Sequence, residues 1–488
     1  MRVLAALVLV LVAGGCTRGP DAELLARDVN ARLARALPPG VVTLAALERR
    51  GSQADTKAPP GETRRIVYFD ADLRLEREFD FGTWDSPGVA GLVSALGAGP
   101  KGITGVTAGG NEAGDIIHAH GTLLYRRAGD GWESAASAGF APSVAPAVAT
   151  SAPPDALASA LESIRRVIDS VVRDASPAQI RVIEEELTVA HAAIRARLAH
   201  TAEGYAIAAG PEHGQYLRFV RALTRVAGVR VVPLVTPGGE ENLRLLRDGK
   251  VSLALSQGDA ALDAFEGRGR FSAAGAHDGL RAIGSLYPEP VHVLVRADST
   301  LRSPGELAGR RVAIGEPGSA SRATALRVLE AHGVRLAQIR PLELPLGPAL
   351  ARLRAGTLDA VIQIIGMPAD SVREAMAAVP LRLVPLDPRA VRALVAAERG
   401  YFGLTIPRAT YADQDQAVPT VATAALLLVS ADLSETEVAA LARAVYEKGR
   451  DFTALGSAQG AQISSATASA GLPVPQHLGA VRALAAVR

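Results

Sequence analysis

Residues 285–334 read SLYPEPVHVLVRADSTLRSPGELAGRRVAIGEPGSASRATALRVLEAHGV, and this stretch indicates the fold class. Its two apolar runs, 291–297 and 310–315, have the composition of buried strands, and a helix-length sequence follows at 319–332. A polar turn that begins at Gly315 joins the second run to that helix. Near-continuous apolar strands that alternate with helices are typical of α/β domains whose parallel sheets are covered on both faces.

The same alternation extends in both directions from this stretch. Helix-length sequences at 214–226 and 240–248 lie between further apolar runs. These runs predict strands at 205–210, 229–235, 251–257, 358–366 and 381–386. In open parallel sheets, ligands bind beyond the carboxyl ends of the strands, where loops lead into helices. Because Gly210, Thr236 and Gln257 follow predicted strands as Gly315 does, we expect these loops to form one binding site.

Four polar loops at these strand ends supply the candidate ligand-binding residues. Backbone N–H groups at helix N-termini bind anions, glycine permits close approach of a ligand, and Ser and Arg supply directional donors. The loops carry no nucleotide fingerprint, because GEPGSASR (315–322) lacks the Gly-Lys-Ser/Thr ending and no GxGxxG follows a strand. Taken singly, each loop is better explained as a structural turn than as a ligand contact. The candidates are Glu212, His213, Gln215, Tyr216, Thr236, Gly238, Asn242, Gln257, Asp259, Gly318, Ser319, Ser321 and Arg322.

Together with 285–334, the sequences TPGGEENLRLLRDGKVSLALSQGDAA (236–261) and GLPVPQHLGA (471–480) resemble the TAXI family of solute receptors from TRAP transporters. The resemblance covers about 203–480. It implies a two-lobed type II periplasmic-binding-protein fold, with lobe 1 at about 203–295 and 390–480 and lobe 2 at about 296–389. It also implies that hinge closure buries a small solute between the lobes, and that a TRAP-type membrane permease receives it.

Differences from the family pattern leave the solute open. Where the family has Gly-Thr-Gly-Gly followed by Tyr-Tyr, this chain has the sequence from Gly210 to Tyr216. In three of the four loops a hydroxyl residue of the family pattern is missing or stands at another position. A site that hydrogen-bonds one group of its ligand discriminates steeply against ligands that lack this group. The solute of another family member is therefore not assigned to this chain.

The loop chemistry still suggests an anionic solute. We expect Ser319, Ser321 and the backbone N–H groups after Gly318 to hold a carboxylate, in an organic anion or an amino acid. Arg322 either points into the cleft or pairs on the lobe surface. Tyr287 is expected to wall the site near the crossover between lobes; Tyr401 either does so from the other side or packs in the core.

The N-terminus has the layout of an export signal. Residues 1–15 combine a positive start, an apolar run too short to span a bilayer permanently, and small residues. Cys16, the only cysteine, follows directly and resembles the lipidated residue of bacterial lipoproteins. Ala13 departs from the usual Leu of that motif, so an ordinary signal peptide with an unmodified cysteine is the alternative. The expected location is extracytoplasmic, with a lipid anchor at Cys16.

Residues 16–200 lie outside the family pattern. Alternating sequences such as VYFDADLRLE (67–76) predict a β-rich small domain at 16–140. Residues 141–154 are rich in Ala, Pro and Ser and are interpreted as a linker. Residues 155–200 are interpreted as a helical hairpin, whose second helix opens with Ser176 and Pro177.

Other function classes have weaker support. The net charge of +2 gives no electrostatic signature of nucleic-acid binding. Catalysis by His213 beside Glu212 lacks a nucleophile motif, so we expect a binding protein and no cofactor. His118 and His120 with Asp115 form a metal-site candidate, but a solvated strand face explains the two histidines, as it explains Asp70 and Asp72. A receptor that senses its solute, or binds an envelope partner, without transport is the remaining alternative.

Overall fold

The computed structural model of the chain comprises a small N-terminal domain, a long helix and a larger α/β domain. The residues it describes are 19–55, 58, 61–84, 88–98, 102–107, 109–129, 131–135, 177–226, 228–411, 413–447, 452–453 and 455–486. The expected signal peptide, Cys16, the linker at 141–154 and the first helix of the hairpin lie outside these residues.

The N-terminal domain is an antiparallel sheet with two helices packed on one face. Its elements are α1 (Ala22–Ala36), β1 (Val42–Ala54), β2 (Arg64–Leu75), α2 (Gly88–Leu96), β3 (Ile103–Thr104), β4 (Ile116–Ala128) and β5 (Gly131–Ala135). The strand order is β1-β2-β4-β3, with β5 paired to β4. The alternation in β2 is confirmed, because Val67, Phe69 and Leu73 enter the core while Asp70 and Asp72 lie on the opposite face.

Helix α3 (Pro177–Glu203) is the predicted second helix of the hairpin, and it leads directly into the α/β domain. His200, in its last turn, lies 2.9 Å from Glu437 through Nδ1 and 3.0 Å from the Ser252 hydroxyl through Nε2. The ring also stacks on Tyr205, with centroids 4.6 Å apart. These contacts fix the C-terminal end of α3 to the first lobe.

The α/β domain has two lobes, each with strands and helices in alternation, which confirms the predicted fold class. Its first elements are β6 (Tyr205–Ala208), α4 (Gln215–Leu223), β7 (Val231–Leu234), α5 (Gly239–Arg247), β8 (Leu253–Gln257), α6 (Gly258–Glu266) and β9 (Leu280–Arg296). Next come β10 (Arg311–Ala313), α7 (Ala320–Ala331), β11 (Arg340–Leu342), α8 (Leu346–Arg354), β12 (Ala360–Ile364), α9 (Asp370–Ala378) and β13 (Leu381–Leu383). The last are α10 (Pro388–Ala397), β14 (Phe402–Ile406), β15 (Val418–Ser430), α11 (Glu435–Tyr446) and α12 (Leu478–Ala485).

Two long strands, β9 and β15, run through both lobes and join them. The first half of β9 pairs antiparallel with β15, and its second half pairs with β12 and β13 of the second lobe. β15 also pairs with β8 of the first lobe. The sheet is therefore mixed, and the expectation of purely parallel sheets is wrong: β6, β7 and β8 are parallel in one lobe and β10, β11 and β12 in the other, but the connecting strands are antiparallel.

The second lobe extends further along the chain than the sequence suggested. Leu394 of α10 and Tyr401 belong to a hydrophobic cluster built on β10 and β12. Ile406 and Tyr411 belong to the neighbouring cluster beneath α8 and α9. The segment from α10 to the start of β15 thus packs with the second lobe, whereas the expected boundary at 389 would have assigned it to the first.

The N-terminal domain packs directly on the α/β domain. Trp84 stacks on Phe402 with ring centroids 5.4 Å apart. Ala461 of the α/β domain belongs to the hydrophobic core of the N-terminal domain. A Cβ at Gly82 would lie 2.4 Å from the Ala461 carbonyl oxygen, so only glycine permits this approach.

Candidate functional site

A buried carboxylate lies at the centre of the domain, where β9 passes from one lobe to the other. Glu289 is 4% exposed, and its Oε2 accepts a hydrogen bond of 2.8 Å from the Tyr216 hydroxyl. The Gln257 side chain, at the C-terminal end of β8, lies beside the same carboxylate. Tyr287, two residues earlier on β9, is fully buried next to it. Strand ends and helix starts of the first lobe therefore converge on β9.

Burial dominates the electrostatics of this cluster. The pKa of Glu289 is raised to about 8, chiefly by loss of hydration; hydrogen bonds from Tyr216 and Gln257 oppose the rise, and the nearby Asp259 carboxylate adds to it. Burial likewise raises the pKa of the Tyr216 and Tyr287 hydroxyls. Glu289 is consequently protonated at neutral pH unless a positive charge or additional donors approach it.

The second lobe closes over this cluster at Gly366. Gln215, at the start of α4, donates from Nε2 to the Gly366 carbonyl at 2.8 Å. A Cβ at Gly366 would lie 2.7 Å from Gln215 Oε1 and 3.0 Å from the Tyr287 ring. A side chain at 366 would therefore hold the lobes apart, which explains the glycine at this position.

Asp259 forms a second contact between the lobes. It follows β8 on α6, is 2% exposed, and accepts a 2.6 Å hydrogen bond from the Tyr401 hydroxyl. Thr324, on α7 of the second lobe, donates to the same carboxylate oxygen. Arg327, one turn further along α7, reaches that oxygen at 3.3 Å and also pairs with Asp263. Tyr401 thus takes part in the contact between lobes rather than serving only as core packing.

A third contact crosses the cleft near the start of α9. Arg218 of α4 pairs with Asp370, the first residue of α9 in the second lobe. Asp370 also accepts from Arg373 at 3.3 Å, so one carboxylate joins two arginines. The two lobes are therefore closed, and ion pairs on two sides of the buried cluster hold them together.

The cluster contains more unsatisfied acceptors than unsatisfied donors. Among the described residues, four of its buried side-chain atoms have no hydrogen-bond partner: Gln215 Oε1, Gln257 Oε1, Asp259 Oδ1 and the Tyr287 hydroxyl oxygen. Buried polar atoms are nearly always satisfied in folded proteins, so a group of unsatisfied ones points to a missing partner. Three of the four are obligate acceptors, which require N–H or O–H groups.

Three predicted site residues instead stabilise the loops themselves. Thr236 accepts from the Gly210 N–H at 3.0 Å and donates to Asn242. Asn242 donates from Nδ2 to the Leu255 carbonyl at 2.7 Å and is fully buried. Gly238 precedes α5 with φ of 151°, a conformation that favours glycine. These residues connect the ends of β6, β7 and β8.

The predicted residues of the loop at 315–322, which suggested an anion site, form hydrogen bonds and an ion pair within the second lobe. Ser319 accepts from the Arg322 N–H at 3.3 Å as the N-cap of α7, while its hydroxyl donates to the Glu316 carbonyl at 2.8 Å. Ser321 donates to the Ile364 carbonyl at 3.3 Å. Arg322 pairs with Glu343 at 2.6 Å on the second lobe, the surface alternative stated above. Gly318, with φ of 82°, makes the turn before the cap.

Two further candidates lie on the outer surface of the first lobe. Glu212 pairs with Arg221 and is about half exposed, and His213 is exposed. Neither therefore joins the cluster in the closed arrangement. The five candidates that do gather at the cleft are Gln215, Tyr216, Gln257, Asp259 and Tyr287.

Several residues of the site were not predicted from the sequence. Glu289 carried a detectable signal, because an acid between two prolines interrupts an otherwise apolar strand. Arg218 and Arg327 carried none, since arginines on amphipathic helices are usually solvated. Their carboxylate partners, Asp370 and Asp263, lie in each case on the opposite lobe, so only the contact between the lobes brings each pair together.

The histidine pair of the N-terminal domain is bound to its neighbouring strand. His118 Nδ1 lies 2.7 Å from Asp72, and His120 pairs with Asp70, on the exposed face of the sheet. Within the described ranges, no group of three or more His, Cys, Asp or Glu side chains could hold a metal ion. In the same ranges, no helix combines the length and apolarity needed to cross a bilayer.

Comparison with known proteins gives one matching family and a number of similar solved structures. The periplasmic aliphatic sulphonate binding protein SsuA from Escherichia coli is 20% identical, over 58% of this chain and 84% of that one, with a TM-score of 0.34. A putative L-cystine ABC transporter from Listeria monocytogenes is 12% identical, over 54% and 98%, with a TM-score of 0.33. The NMT1-like family matches residues 207–485, more than half of the chain, so this protein belongs to the NMT1-like family.

Proposed function

We propose that this protein is an extracytoplasmic receptor that captures a small solute between its two lobes. The observation that carries the proposal is the cluster of buried polar groups at Glu289, with unsatisfied acceptors contributed by the first lobe and by β9. Two crossing strands connect the lobes, so a change in their bend would open and close the cleft. A closed cleft lined by unsatisfied acceptors is expected of a binding protein awaiting its solute.

The solute we propose carries both an amino group and a carboxylate. An ammonium group supplies three donors, and its charge would ionise Glu289 and complement Asp259. The carboxylate would bind the backbone N–H groups at the start of α7, as expected from the sequence, or those at the start of α4, since the first N–H groups of a helix lack intrahelical partners. An amino-acid-like solute satisfies both chemistries, whereas a simple dicarboxylate would leave the acceptors at Glu289 unpaired.

A TRAP-type membrane permease is the proposed recipient, and Cys16 the proposed site of a lipid anchor. Both follow from the sequence resemblance and from the N-terminal pattern at 1–16. A receptor tethered to the membrane stays near its permease, which raises the local concentration of loaded receptor. The direct test is uptake into proteoliposomes that contain the permease, with and without this chain.

A sensor that signals closure to another protein is the second candidate. The N-terminal domain contacts the α/β domain through Trp84 and Phe402, next to the strands that connect the lobes. A change in lobe angle would therefore reach a domain that lies outside the family match. Solute binding without permease-dependent uptake would favour this function over transport.

The solute test is a thermal-shift screen on protein that has been unfolded, stripped of carried-over ligand and refolded. Compounds in matched sets would carry an amine, a carboxylate or both. A solute bound only by the native state adds about 2.7 kcal/mol at a hundredfold excess over its dissociation constant. We expect a rise in melting temperature only with compounds that carry both groups.

Two variants decide whether the shift arises at the proposed site. Glu289→Gln should remove the preference for the amine, and the exposed Glu374→Gln on α9 should leave it unchanged. Calorimetry in buffers of different ionisation enthalpy should show proton release on binding, because Glu289 ionises. Equal shifts with carboxylates that lack an amine would contradict the solute class, and no shift with any compound would contradict the receptor function.

A further inference from the structure

A cavity of about 430 Å³ lies between the N-terminal domain and the second lobe, away from the interlobe cleft. Its walls include Arg32 and Arg35 from α1, Arg373 from α9 and Arg408 from the loop that leads towards β15. Asp413 and Asp415 from the same loop also line it. The four guanidinium groups exceed the two carboxylates, which leaves an excess of two positive charges in a confined space.

Two of these arginines are held in place by the surrounding structure. Arg373 is 7% exposed, and its 3.3 Å contact with Asp370 uses only one of its donors. Arg32 donates from Nη2 to the Ser134 hydroxyl at 2.6 Å and to the Ala135 carbonyl at 3.1 Å. Positioned guanidinium groups lose little freedom on binding and present donors that match oxyanions. Burial of like charges together is unfavourable, so an anion between them would relieve repulsion.

The loop on the lobe side of the cavity is strained. Ala409 and Asp413, with φ of 59° and 57°, are the two non-glycine residues with positive φ in the described part of the chain. Tyr411 fixes the loop between them, because its hydroxyl accepts from the Ala369 N–H at 3.1 Å and lies 2.7 Å from His292. Backbone strain that the surrounding structure maintains concentrates at binding sites.

We infer that this cavity binds a small dianionic oxyanion, with phosphate as the simplest example, which bridges the N-terminal domain to the second lobe. Arg32 and Arg35 would hold it from one side and Arg373 and Arg408 from the other. None of the cluster at Glu289 lines this cavity, so the site does not depend on the proposed function, although Arg373 also contacts Asp370 of the interlobe ion pair. Its occupant would stabilise the packing of the two domains, because it contacts both.

The test is isothermal titration of inorganic phosphate into the whole chain, with chloride adjusted to keep ionic strength constant. We expect one phosphate per chain and a rise in melting temperature. Arg35→Gln combined with Arg408→Gln removes two exposed arginines, so the fold should survive; phosphate affinity should fall about tenfold or more. Arg225→Gln, an exposed arginine of the first lobe, should bind phosphate as the unaltered chain does.

Three outcomes would overturn the inference. One is the absence of phosphate binding at millimolar concentrations, and another is equal affinity in the double variant and in Arg225→Gln. The third outcome concerns a phospholipid headgroup, which offers the same oxyanion chemistry. In that case the unaltered chain would sediment with phosphatidic-acid vesicles and the double variant would not, while the unaltered chain would not bind free phosphate. If the double variant unfolds, Arg408→Gln alone serves, with the same expected direction.

Discussion

Replacement of Glu289 by glutamine should change how the stability of the ligand-free protein depends on pH. Folding raises the pKa of this carboxyl from 4.5 to about 8, chiefly through burial. Between these values the folded state keeps a proton that the unfolded state has lost. The stabilisation is therefore complete below about pH 4.5 and is lost as the pH rises through about 8.

The magnitude follows from the two pKa values. A difference from 4.5 to about 8 corresponds to about 5 kcal/mol between the acid and alkaline limits, at about 1.4 kcal/mol for each tenfold change in proton affinity. Glutamine keeps the neutral shape and can still accept from Tyr216, while its amide can donate towards the unsatisfied Gln257 Oε1. Glu289→Gln should therefore match the unaltered chain near about pH 5 and be several kcal/mol more stable near about pH 8.5.

The assay is urea unfolding at a series of pH values on protein freed of solute. The difference in unfolding free energy between Glu289→Gln and the unaltered chain should grow as the pH rises. Glu374→Gln, an exposed substitution on α9, should run parallel to the unaltered chain throughout. If Glu289→Gln also runs parallel, then Glu289 is ionised in the folded protein, and the reasoning from burial is refuted.

Three other substitutions test neighbouring contacts. Arg327→Gln leaves the buried Asp259 without its cation and Asp263 with only Arg268, and should cost about 3–5 kcal/mol in urea unfolding, against less than about 1 kcal/mol for the exposed Arg399→Gln; equal costs would contradict the role of Arg327 between the lobes. Burial lowers the pKa of His292 to about 4, so the contribution of His292 to stability should fall by up to about 3 kcal/mol as the pH drops from about 6.5 to about 4, a range in which Glu289 contributes in the opposite sense. His292→Gln should therefore gain stability relative to the unaltered chain over this range, and a constant difference between the two would contradict the lowered pKa. Trp84→Ala removes the stack on Phe402, which is worth about 0.5–1.5 kcal/mol beyond burial, and should accelerate release of the N-terminal domain in limited proteolysis. An unchanged rate would show that the packing of Ala461 and its neighbours is enough to hold the two domains together.

The sequence predicted the short strands that lie within mainly apolar runs and missed much of the two long strands that connect the lobes. β8 and β12 lie within the predicted runs, because nearly all of their residues are buried in a covered sheet. The first half of β9 was missed since Pro288 and Pro290 argue against a central strand. β15 was not predicted as a strand, because its apolar run from Val421 to Val429 does not distinguish a buried strand from a buried helix.

The candidate site was predictable in position and less so in detail. The rule that ligands bind beyond strand ends located Gln257 and Gln215, which do converge on the cleft. It could not separate hydroxyls that bind ligand from those that cap a helix, since Ser319 and Thr236 have the chemistry for both. Glu289 and Arg327 acquire their roles from partners more than sixty residues away, which no local pattern encodes.

The interlobe contacts determine how much a solute can contribute to closure. The carboxylates of Asp259 and Asp370 already accept from donors across the cleft, so the lobes gain ion pairs when they meet without a solute. A solute shifts the equilibrium only by its additional contacts in the closed state. Those contacts must come from the atoms that closure leaves unsatisfied, namely the acceptors around Glu289. Asp259 serves both purposes, since one of its oxygens accepts across the cleft and the other is left unsatisfied. The Arg218–Asp370 pair contributes no atom to the acceptors around Glu289, so it can be altered to change the closed population while the groups that recognise the solute stay intact.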